Sequence, residues 1–293
     1  MRFYIVDVFA ESKFAGNQLA VFRDAGSLST EQMQRIAQEM HYSETTFITS
    51  EDRHAGGYDV RIFMPDRELP FAGHPTLGTA WVVQSKVIGK PEAVVRLNMG
   101  VGQIPVTFSY SKGRADVIWM RQKEPTFGET FKPKAVAGIL GLKESDFDPK
   151  FPIMEVSTGA SFVITPLKSL AAVKTMQFDP VACRKFLSGT HSMGFLVFTS
   201  ETYSKKNDLN VRVLGVSPAI PEDPATGSGN GCLAAYLVKT KYFGKESVDL
   251  KVEQGYEIDR RSLILLRAKR SGKSIEVNVG GRVQFIASGE LTA

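Results

Sequence analysis

Two stretches of the chain follow one scheme, VRIFMPDRELPFAGHPTLGTAWVV (60–83) and VRVLGVSPAIPEDPATGSGNGCLAAYLV (211–238). Arg61 in the first matches Arg212 in the second. Further matches are Glu68 with Glu222 and then, without gaps, Pro70 with Pro224, Gly73 with Gly227, His74 with Ser228 and Ala80 with Ala234. Each stretch is typical of a strand, a Pro/Gly loop and an apolar helix. A repeat at about half the chain length predicts two similarly folded domains that face each other.

The rest of the chain has many short strand patterns and few helical ones. The clearest helical pattern is STEQMQRIAQEMH (29–41), in which Ser29 and Gln32 predict a capping box. Other helices are predicted to begin at Pro75, Lys132, Asp179 and Gly229, with Gly189 and Gly244 as C-terminal stops. The pattern predicts an α+β fold.

The join between the two domains is predicted within KEPTFGETFKP (123–133), where Pro and Gly interrupt the strand pattern. We therefore expect an N-terminal domain over residues 1–125 and a C-terminal domain over residues 126–293. An arrangement in which the last strand crosses back to the first domain stays open.

Composition excludes several classes of protein. The 36 basic and 31 acidic residues give a net charge of only +5, and the basic stretch RAKRSGK (267–273) fits a solvated turn, so we expect no nucleic-acid partner. Two cysteines and four histidines, with no metal-binding spacing, predict neither a disulfide framework nor a metal site. We find no membrane-length apolar run and no signal peptide. These features favour a cytoplasmic globular protein.

Both predicted helix starts are suited to binding an anion, because a helix N-terminus presents unpaired N–H groups and the positive end of the helix dipole. In the first, Gly73 and His74 precede Pro75, so that His74 is expected to be the cap. In the second, DPATGSG (223–229) combines an acid, the Thr226 hydroxyl and a flexible backbone. Neither start has a phosphate-loop pattern, so we expect a small carboxylate ligand rather than a dinucleotide.

Glu44 lies between a helix and a β-branched strand, where a partly desolvated carboxylate would have a pKa raised toward the range useful for proton transfer. Each candidate also has a structural interpretation. Taken alone, Glu44 is better explained as the start of a surface strand, and His74 as a helix cap. Thr226 and Ser228 fit capping hydroxyls, and Asp223 fits the start of a turn.

Taken together, these segments resemble the PhzF-like family of phenazine-biosynthesis isomerases, which has the diaminopimelate epimerase fold. The resemblance covers nearly the whole chain. It rests on DVFA (7–10), GNQLAVF (16–22), MQRIAQEMHYSETTFI (33–48), RIFMPDRELPFAGHPTLGTA (61–80), EDPATGSGNG (222–231), EQG (253–255) and VGGRV (279–283). It implies two similar domains, each a β-sheet wrapped around a central helix, with the active site in the cleft between them, and it implies a homodimer.

The resemblance also implies roles for individual residues. Glu44 matches the general acid/base that moves a proton between carbons of the substrate. His74, Asp223 and Ser228 match residues that line the site, assist proton movement and hold polar groups of the substrate. Gly73 and Gly227 match loop glycines whose neighbouring N–H groups accept a carboxylate. The implied reaction is an isomerisation of a small carboxylate that needs no cofactor.

Some positions depart from related patterns. Epimerases of this fold use one cysteine before each Gly-rich helix start, where this chain has Ala72 and Pro224. A two-cysteine racemase is therefore disfavoured. Gln18 stands where the phenazine enzyme has proline, and DRRS (259–262) stands where the family commonly has Gly-Arg-Pro-Ser.

Three classes of function follow from these observations. The leading hypothesis is a proton-transferring isomerase with Glu44 as the shuttle. The alternative is a protein that keeps the fold and binds a small molecule or partner without turnover. A nucleotide-dependent enzyme is disfavoured, because the chain has no phosphate-loop lysine.

Overall fold

The computed structural model describes residues 1–217 and 220–292. The chain divides into two compact units, one of Met1–Met120 with Gly280–Ala293 and one of Arg121–Val279. The expected boundary lay at residues 125 and 126. The last strand, Val283–Glu290, belongs to the first unit. The α+β class is confirmed.

Ten elements follow one another in the first half of the chain. They are β1 (Arg2–Val8), β2 (Asn17–Phe22), α1 (Thr30–Met40), β3 (Glu44–Ile48), β4 (Tyr58–Phe63), β5 (Glu68–Leu69), α2 (Gly73–Val82, continued by a π-helical turn over Val83–Ile88), β6 (Val94–Met99), β7 (Gly102–Ser111) and β8 (Arg114–Arg121).

The described residues of the second half contain 3-10 turns at Glu144–Asp146 and Tyr256–Ile258 and the following α-helices and strands. They are β9 (Thr126–Phe131), α3 (Pro133–Leu140), β10 (Ile153–Ser157), β11 (Ser161–Pro166), α4 (Leu170–Thr175), α5 (Pro180–Leu187), β12 (Phe195–Thr199), β13 (Leu209–Ser217), β14 (Ile220–Asp223), α6 (Gly227–Thr240), β15 (Ser247–Gln254), β16 (Ser262–Ser271), β17 (Ser274–Gly281) and β18 (Val283–Glu290).

The pairing of strands repeats between the units. In the first unit β1–β2 is antiparallel, β2–β3 parallel, β3–β4 and β4–β5 antiparallel, β4–β6 parallel and β6–β7 antiparallel. In the second unit the same order of directions runs through β10–β11, β11–β12, β12–β13, β13–β14, β13–β15 and β15–β16. In addition β18 pairs antiparallel with β1, as β9 does with β10. The two units therefore share one topology, as the internal repeat predicts.

Each unit is built around a nearly fully buried helix. All residues of α2 are buried except Trp81, and α6 is buried from Gly227 to Val238 apart from Ser228. Such a helix is apolar on every side because sheet or other structure surrounds it. On the outer side of the first sheet, α1 packs Met33 and Ala37 onto a cluster that contains Phe47.

The repeat also carries an ion pair in each unit. Arg61 forms two hydrogen bonds to Glu68, at 2.7 and 2.6 Å. Arg212 forms two to Glu222, at 3.0 and 2.6 Å. The residues that match in the sequence therefore make the same bidentate contact, which joins β4 to β5 in the first unit and β13 to β14 in the second.

Two predicted helix starts are wrong by two residues. Helix α2 begins at Gly73 with Ala72 as the N-cap, because the amide of Thr76 already donates to the Ala72 carbonyl at 3.3 Å. Pro75 thus lies inside the first turn, where the amide hydrogen that proline lacks has no helical partner. His74 is in the helix and is not its cap.

Helix α6 begins at Gly227 rather than Gly229, because the amide of Asn230 donates to the Thr226 carbonyl at 3.0 Å. Its C-cap is Lys241, with φ at 54°, so Gly244 lies beyond the end of the helix.

The remaining helix predictions have mixed outcomes. The Ser29–Gln32 capping box is confirmed. Helices α3 and α5 begin one residue after the predicted starts, at Pro133 and Pro180, and Lys132 and Asp179 are their N-caps. Helix α5 has Ser188 as its C-cap, so Gly189 follows the cap. The predicted turn at 267–273 is narrower than expected, since β16 continues to Ser271.

Candidate active site

Glu44 and His74 are brought together in the first unit. Glu44 is the first residue of β3, and the alternation of the strand places it on the same face as Thr46. The Thr46 hydroxyl lies 2.8 Å from the Thr79 hydroxyl, so this face of β3 packs against α2. Glu44 Oε2 lies 3.4 Å from His74 Nε2, and the two side chains are 12% and 4% exposed. The carboxylate and the imidazole therefore meet in a nearly dry environment at the first turn of α2.

The imidazole of His74 is neutral at physiological pH. Burial lowers the pKa of His74 from 6.5 to about 3, and a hydrogen bond that involves the Gln18 backbone opposes this shift. Asn17 Nδ2 lies 3.3 Å from His74 Nδ1. The Asn17 amide thus lies on the Nδ1 side of the ring, and Nε2 faces Glu44. Glu44 has a neutral imidazole beside it rather than a fixed cation.

Asp223 and Thr226 are brought together in the second unit. The Thr226 hydroxyl donates to Asp223 Oδ2 at 2.6 Å, and both residues are buried. Gln254, at the end of β15, stabilises this turn through both the nitrogen and the oxygen of its side-chain amide. Its Nε2 donates to the Asp223 carbonyl at 2.8 Å and to the Thr226 hydroxyl at 3.0 Å, and its Oε1 accepts from the Thr226 amide at 3.2 Å.

This arrangement fixes the direction of the hydrogen bonds. Because the Thr226 oxygen accepts from Gln254, its single proton is directed to Asp223. The carboxylate of Asp223 is thereby held in one orientation in front of α6.

The loop glycines occupy corresponding places in the two units. Gly73 and Gly227 are the first residues of α2 and α6, and both are buried. In the described part of the chain, neither N-cap side chain accepts a hydrogen bond from its helix. Ser228, the second residue of α6, is half-buried. The first-turn N–H groups of both helices are therefore not occupied by a side-chain cap. That Gly73 and Gly227 face one cleft stays a prediction.

Sequence reasoning missed three buried polar residues around these groups, namely Asn17, Gln254 and Asn230. Asn230 Nδ2 donates to Gln254 Oε1 at 2.8 Å. Asn17 and Gln254 lie inside the GNQLAVF and EQG segments, so the resemblance contained the signal, but no role was attached to either residue.

The two cysteines are buried thiols. Burial raises the pKa of Cys232 to about 12 and that of Cys183 to about 11. Cys232 lies within α6, where its thiol donates to the Ala160 carbonyl at 3.2 Å. Neither cysteine forms a thiolate at neutral pH, in keeping with the expectation that no cysteine pair acts here.

Among the described residues, no group of three or more His, Cys, Asp or Glu side chains could hold a metal ion. Across 1–217 and 220–292, none of the helices combines the length and the apolar character required to cross a bilayer.

Solved structures share this fold over the whole chain. A phenazine biosynthesis protein of the PhzF family from Bacillus anthracis is 26% identical, with a TM-score of 0.90 and coverage of 100% of this chain and 99% of that chain. A predicted epimerase from Pseudomonas aeruginosa is 28% identical, with a TM-score of 0.82 and the same coverage. A probable proline racemase from Agrobacterium radiobacter, at 10% identity and a TM-score of 0.67, shares the fold alone.

Curated relatives are similar over nearly their full length. An uncharacterized isomerase of Pasteurella multocida is 32% identical, over 99% of this chain and 93% of that protein. The trans-2,3-dihydro-3-hydroxyanthranilate isomerase of Pseudomonas aeruginosa is 32% identical, over 98% of each chain. The family model of phenazine biosynthesis-like proteins matches residues 6–289. The chain therefore belongs to the phenazine biosynthesis-like, or PhzF, family and is an isomerase.

Proposed function

We propose that this isomerase transfers a proton between carbon atoms of a small cyclic carboxylate, with Glu44 as the general acid/base. The observation that carries the proposal is the contact of Glu44 with a buried, neutral His74 at the first turn of α2. The relatives named trans-2,3-dihydro-3-hydroxyanthranilate isomerases suggest the substrate class, a ring that bears a carboxylate, an amine and a hydroxyl.

Proton transfer at carbon needs a base that can take up a proton and give it back. A carboxylate paired with a protonated histidine would be held as an anion by that charge. The neutral imidazole of His74 leaves Glu44 free of this constraint. In the proposed reaction Glu44 removes a proton from one carbon, the double bond shifts, and Glu44 returns the proton to another carbon. No atom is gained or lost, so the product is an isomer.

The substrate carboxylate fits the helix starts. The first-turn N–H groups after Gly73 and Gly227 present donors with the positive end of a helix dipole behind them, which favours an anion. Ser228 adds a half-buried hydroxyl in the second unit. Asp223, held by Thr226, supplies an oriented carboxylate for the amine or hydroxyl of the substrate.

The test is exchange of deuterium from heavy water into trans-2,3-dihydro-3-hydroxyanthranilate, followed by NMR together with product formation. Glu44→Gln keeps the shape of the side chain but cannot carry a proton at neutral pH. Since general acid/base catalysis contributes a factor of roughly 10²–10⁴, both rates should fall by at least that factor while substrate affinity changes little.

Two further variants make the result specific. Glu39→Gln, an exposed residue of α1, should retain the wild-type rates. Ser228→Ala should weaken affinity more than it slows exchange on bound substrate. Wild-type exchange by Glu44→Gln would exclude Glu44 as the shuttle. Binding without exchange by the wild-type protein would favour the binding-protein alternative.

A further inference from the structure

The second unit contains a buried carboxylate that the proposed reaction does not use. Glu155, in β10, is 6% exposed. Its Oε1 accepts hydrogen bonds from the Ser192 hydroxyl at 2.8 Å and the His191 amide at 3.1 Å. None of the ion pairs among residues 1–217 and 220–292 includes Glu155. A buried carboxylate that lacks a cation is costly, so the position calls for a positively charged partner.

The backbone around Glu155 leaves space beside the carboxylate. The β9–β10 ladder shifts its register between Met154 and Val156, so Glu155 lies at a bulge, a feature that redirects a side chain. Opposite it stands Gly128, where an added Cβ would lie 3.0 Å from Glu155 Oε2. Any larger residue at this position would therefore crowd the second carboxylate oxygen.

Glu155 lines a cavity of about 370 Å³ in the second unit. Its Oε2 has no hydrogen-bond donor among the described residues, in contrast to Oε1. The cavity is also lined by Thr126, Phe127, Ser157, Ser161 and His191. The cavity is within the size range of small-molecule sites and offers an apolar ring, hydroxyls and one buried charge.

The hydroxyls of Ser161 and Ser192 provide a second hydrogen-bond acceptor for a ligand, the Ser161 oxygen. The single proton of Ser192 is given to Glu155, so the Ser161 hydroxyl, 3.2 Å from the Ser192 hydroxyl, must be the donor in that contact. The remaining lone pairs of Ser161 are then available to a ligand in the cavity. Ser157 has the opposite role. Its oxygen accepts a hydrogen bond from the Gly159 amide at 3.2 Å, so its hydroxyl proton is available to donate to a ligand.

We propose that this cavity is a binding site for a small organic ammonium compound that also carries a hydroxyl group. The ammonium would donate to Glu155 Oε2 and Ser161, and the ligand hydroxyl would accept from Ser157. A bare monovalent cation would fill only a small part of the cavity, whereas an amino alcohol uses the charge and the hydroxyls together.

The probe is 2-amino-1,3-propanediol, with glycerol as the matched neutral compound in which a hydroxyl replaces the ammonium. Binding is measured by calorimetry or ligand-observed NMR at neutral pH. With about six non-hydrogen atoms, the amine should bind with a dissociation constant in the millimolar range. A hydrogen bond between charged groups is worth roughly a tenfold or greater change in affinity, so glycerol should bind at least that much more weakly.

The variant Glu155→Gln should lose at least about tenfold in affinity for the amine. Glu144→Gln is the matched control, because it removes an exposed carboxylate of the second unit that does not line the cavity, and it should bind the amine as the wild type does. The comparison with glycerol uses only the wild-type protein and does not depend on folding of a variant. The proposal is overturned if the amine shows no saturation below about 50 mM, or binds no better than glycerol. Equal affinity of a folded Glu155→Gln variant would also overturn it.

Discussion

The buried neutral His74 makes the stability of the first unit depend on pH. In the folded protein the pKa of His74 is lowered to about 3, whereas an unfolded chain binds a proton on histidine below 6.5. Between these values the unfolded state holds more protons than the folded state, so the free energy of unfolding falls as pH falls. The contribution is absent above pH 6.5 and grows through the acid range down to about pH 3.

The size of this effect follows from the shift. Each pH unit below 6.5 lowers the free energy of unfolding by about 1.4 kcal/mol, since one proton is excluded from the folded state. Between pH 7.5 and pH 4.5 the loss should reach about 2.7 kcal/mol. His74→Gln removes this term, because the amide does not titrate. The stability of the variant relative to the wild type should therefore rise by that amount as the pH is lowered.

Urea unfolding at pH 7.5 and pH 4.5 measures the difference, and the two tryptophans make it specific. Trp81 and Trp119 both lie in the first unit, so their fluorescence reports the unit that contains His74. His191→Gln, an exposed histidine of the second unit, should follow the wild type at both pH values. If the stability difference between His74→Gln and the wild type changes by less than about 0.5 kcal/mol, the buried imidazole does not carry the effect and the reasoning fails.

Two pairs of matched substitutions test the packing of the units. Arg212→Leu, which breaks a pair whose side chains are 11% and 9% exposed, should destabilise by about 3–5 kcal/mol, because it leaves Glu222 buried without a cation. Arg61→Leu breaks the matching pair at 31% and 39% exposure and should cost less than about 1 kcal/mol, as denaturant unfolding of both would show. Gly78→Ala places a Cβ 2.6 Å from a Leu19 methyl group in the buried helix α2 and should lower stability by about 1–3 kcal/mol. Gly138→Ala in α3 has no atom within 4 Å and should raise stability by up to about 1 kcal/mol; a melting temperature that moves the same way in both variants would contradict this.

Patterns with a local physical cause were predictable from the sequence. The capping box at Ser29 and the caps Lys132 and Asp179 are set within a few residues of the chain. The repeat gave the shared topology, because matching strands, loops and helices fold alike. The predicted starts of α2 and α6 were two residues too late, because glycine is a poor helix former and was not expected in the first turn. In the structure both helices begin at a buried glycine, and packing around the first turn stabilises it there. The short α4 (Leu170–Thr175) has too few residues to show a period.

The candidate site was predictable only in part, because its residues are ambiguous one at a time. Glu44 taken alone looked like the start of a surface strand, and only the resemblance assigned it chemistry. Its neighbour His74 is distant in sequence, and the contact depends on how β3 packs on α2. Gln254 acts by holding a turn formed by Asp223 and Thr226, which no spacing along the chain reveals.

The repeat gives the two units the same fold but different acids. Phe47 pairs with Arg61 in the first unit, and Val197 pairs with the matching Arg212 in the second. Phe47 and Val197 are therefore equivalent positions. Glu44 lies three residues before Phe47, so its counterpart is Gly194, three residues before Val197. An added Cβ at Gly194 would lie 2.5 Å from the Leu214 carbonyl oxygen, and the second unit therefore has no room for a side chain at this position.

The converse holds for Asp223. Asp223 pairs with Val213, which corresponds to Ile62 of the first unit. Ile62 pairs with Leu69, so the counterpart of Asp223 is a leucine and carries no carboxylate. Epimerases that use two equivalent groups need the same chemistry at matching positions of both halves, and this chain lacks it both in its cysteines and in its carboxylates. A single shuttle fits this asymmetry better than an equivalent pair. In the proposed reaction Glu44 gains and loses the proton beside a neutral imidazole, whereas Asp223 accepts a hydrogen bond from the Thr226 hydroxyl and serves as an acceptor.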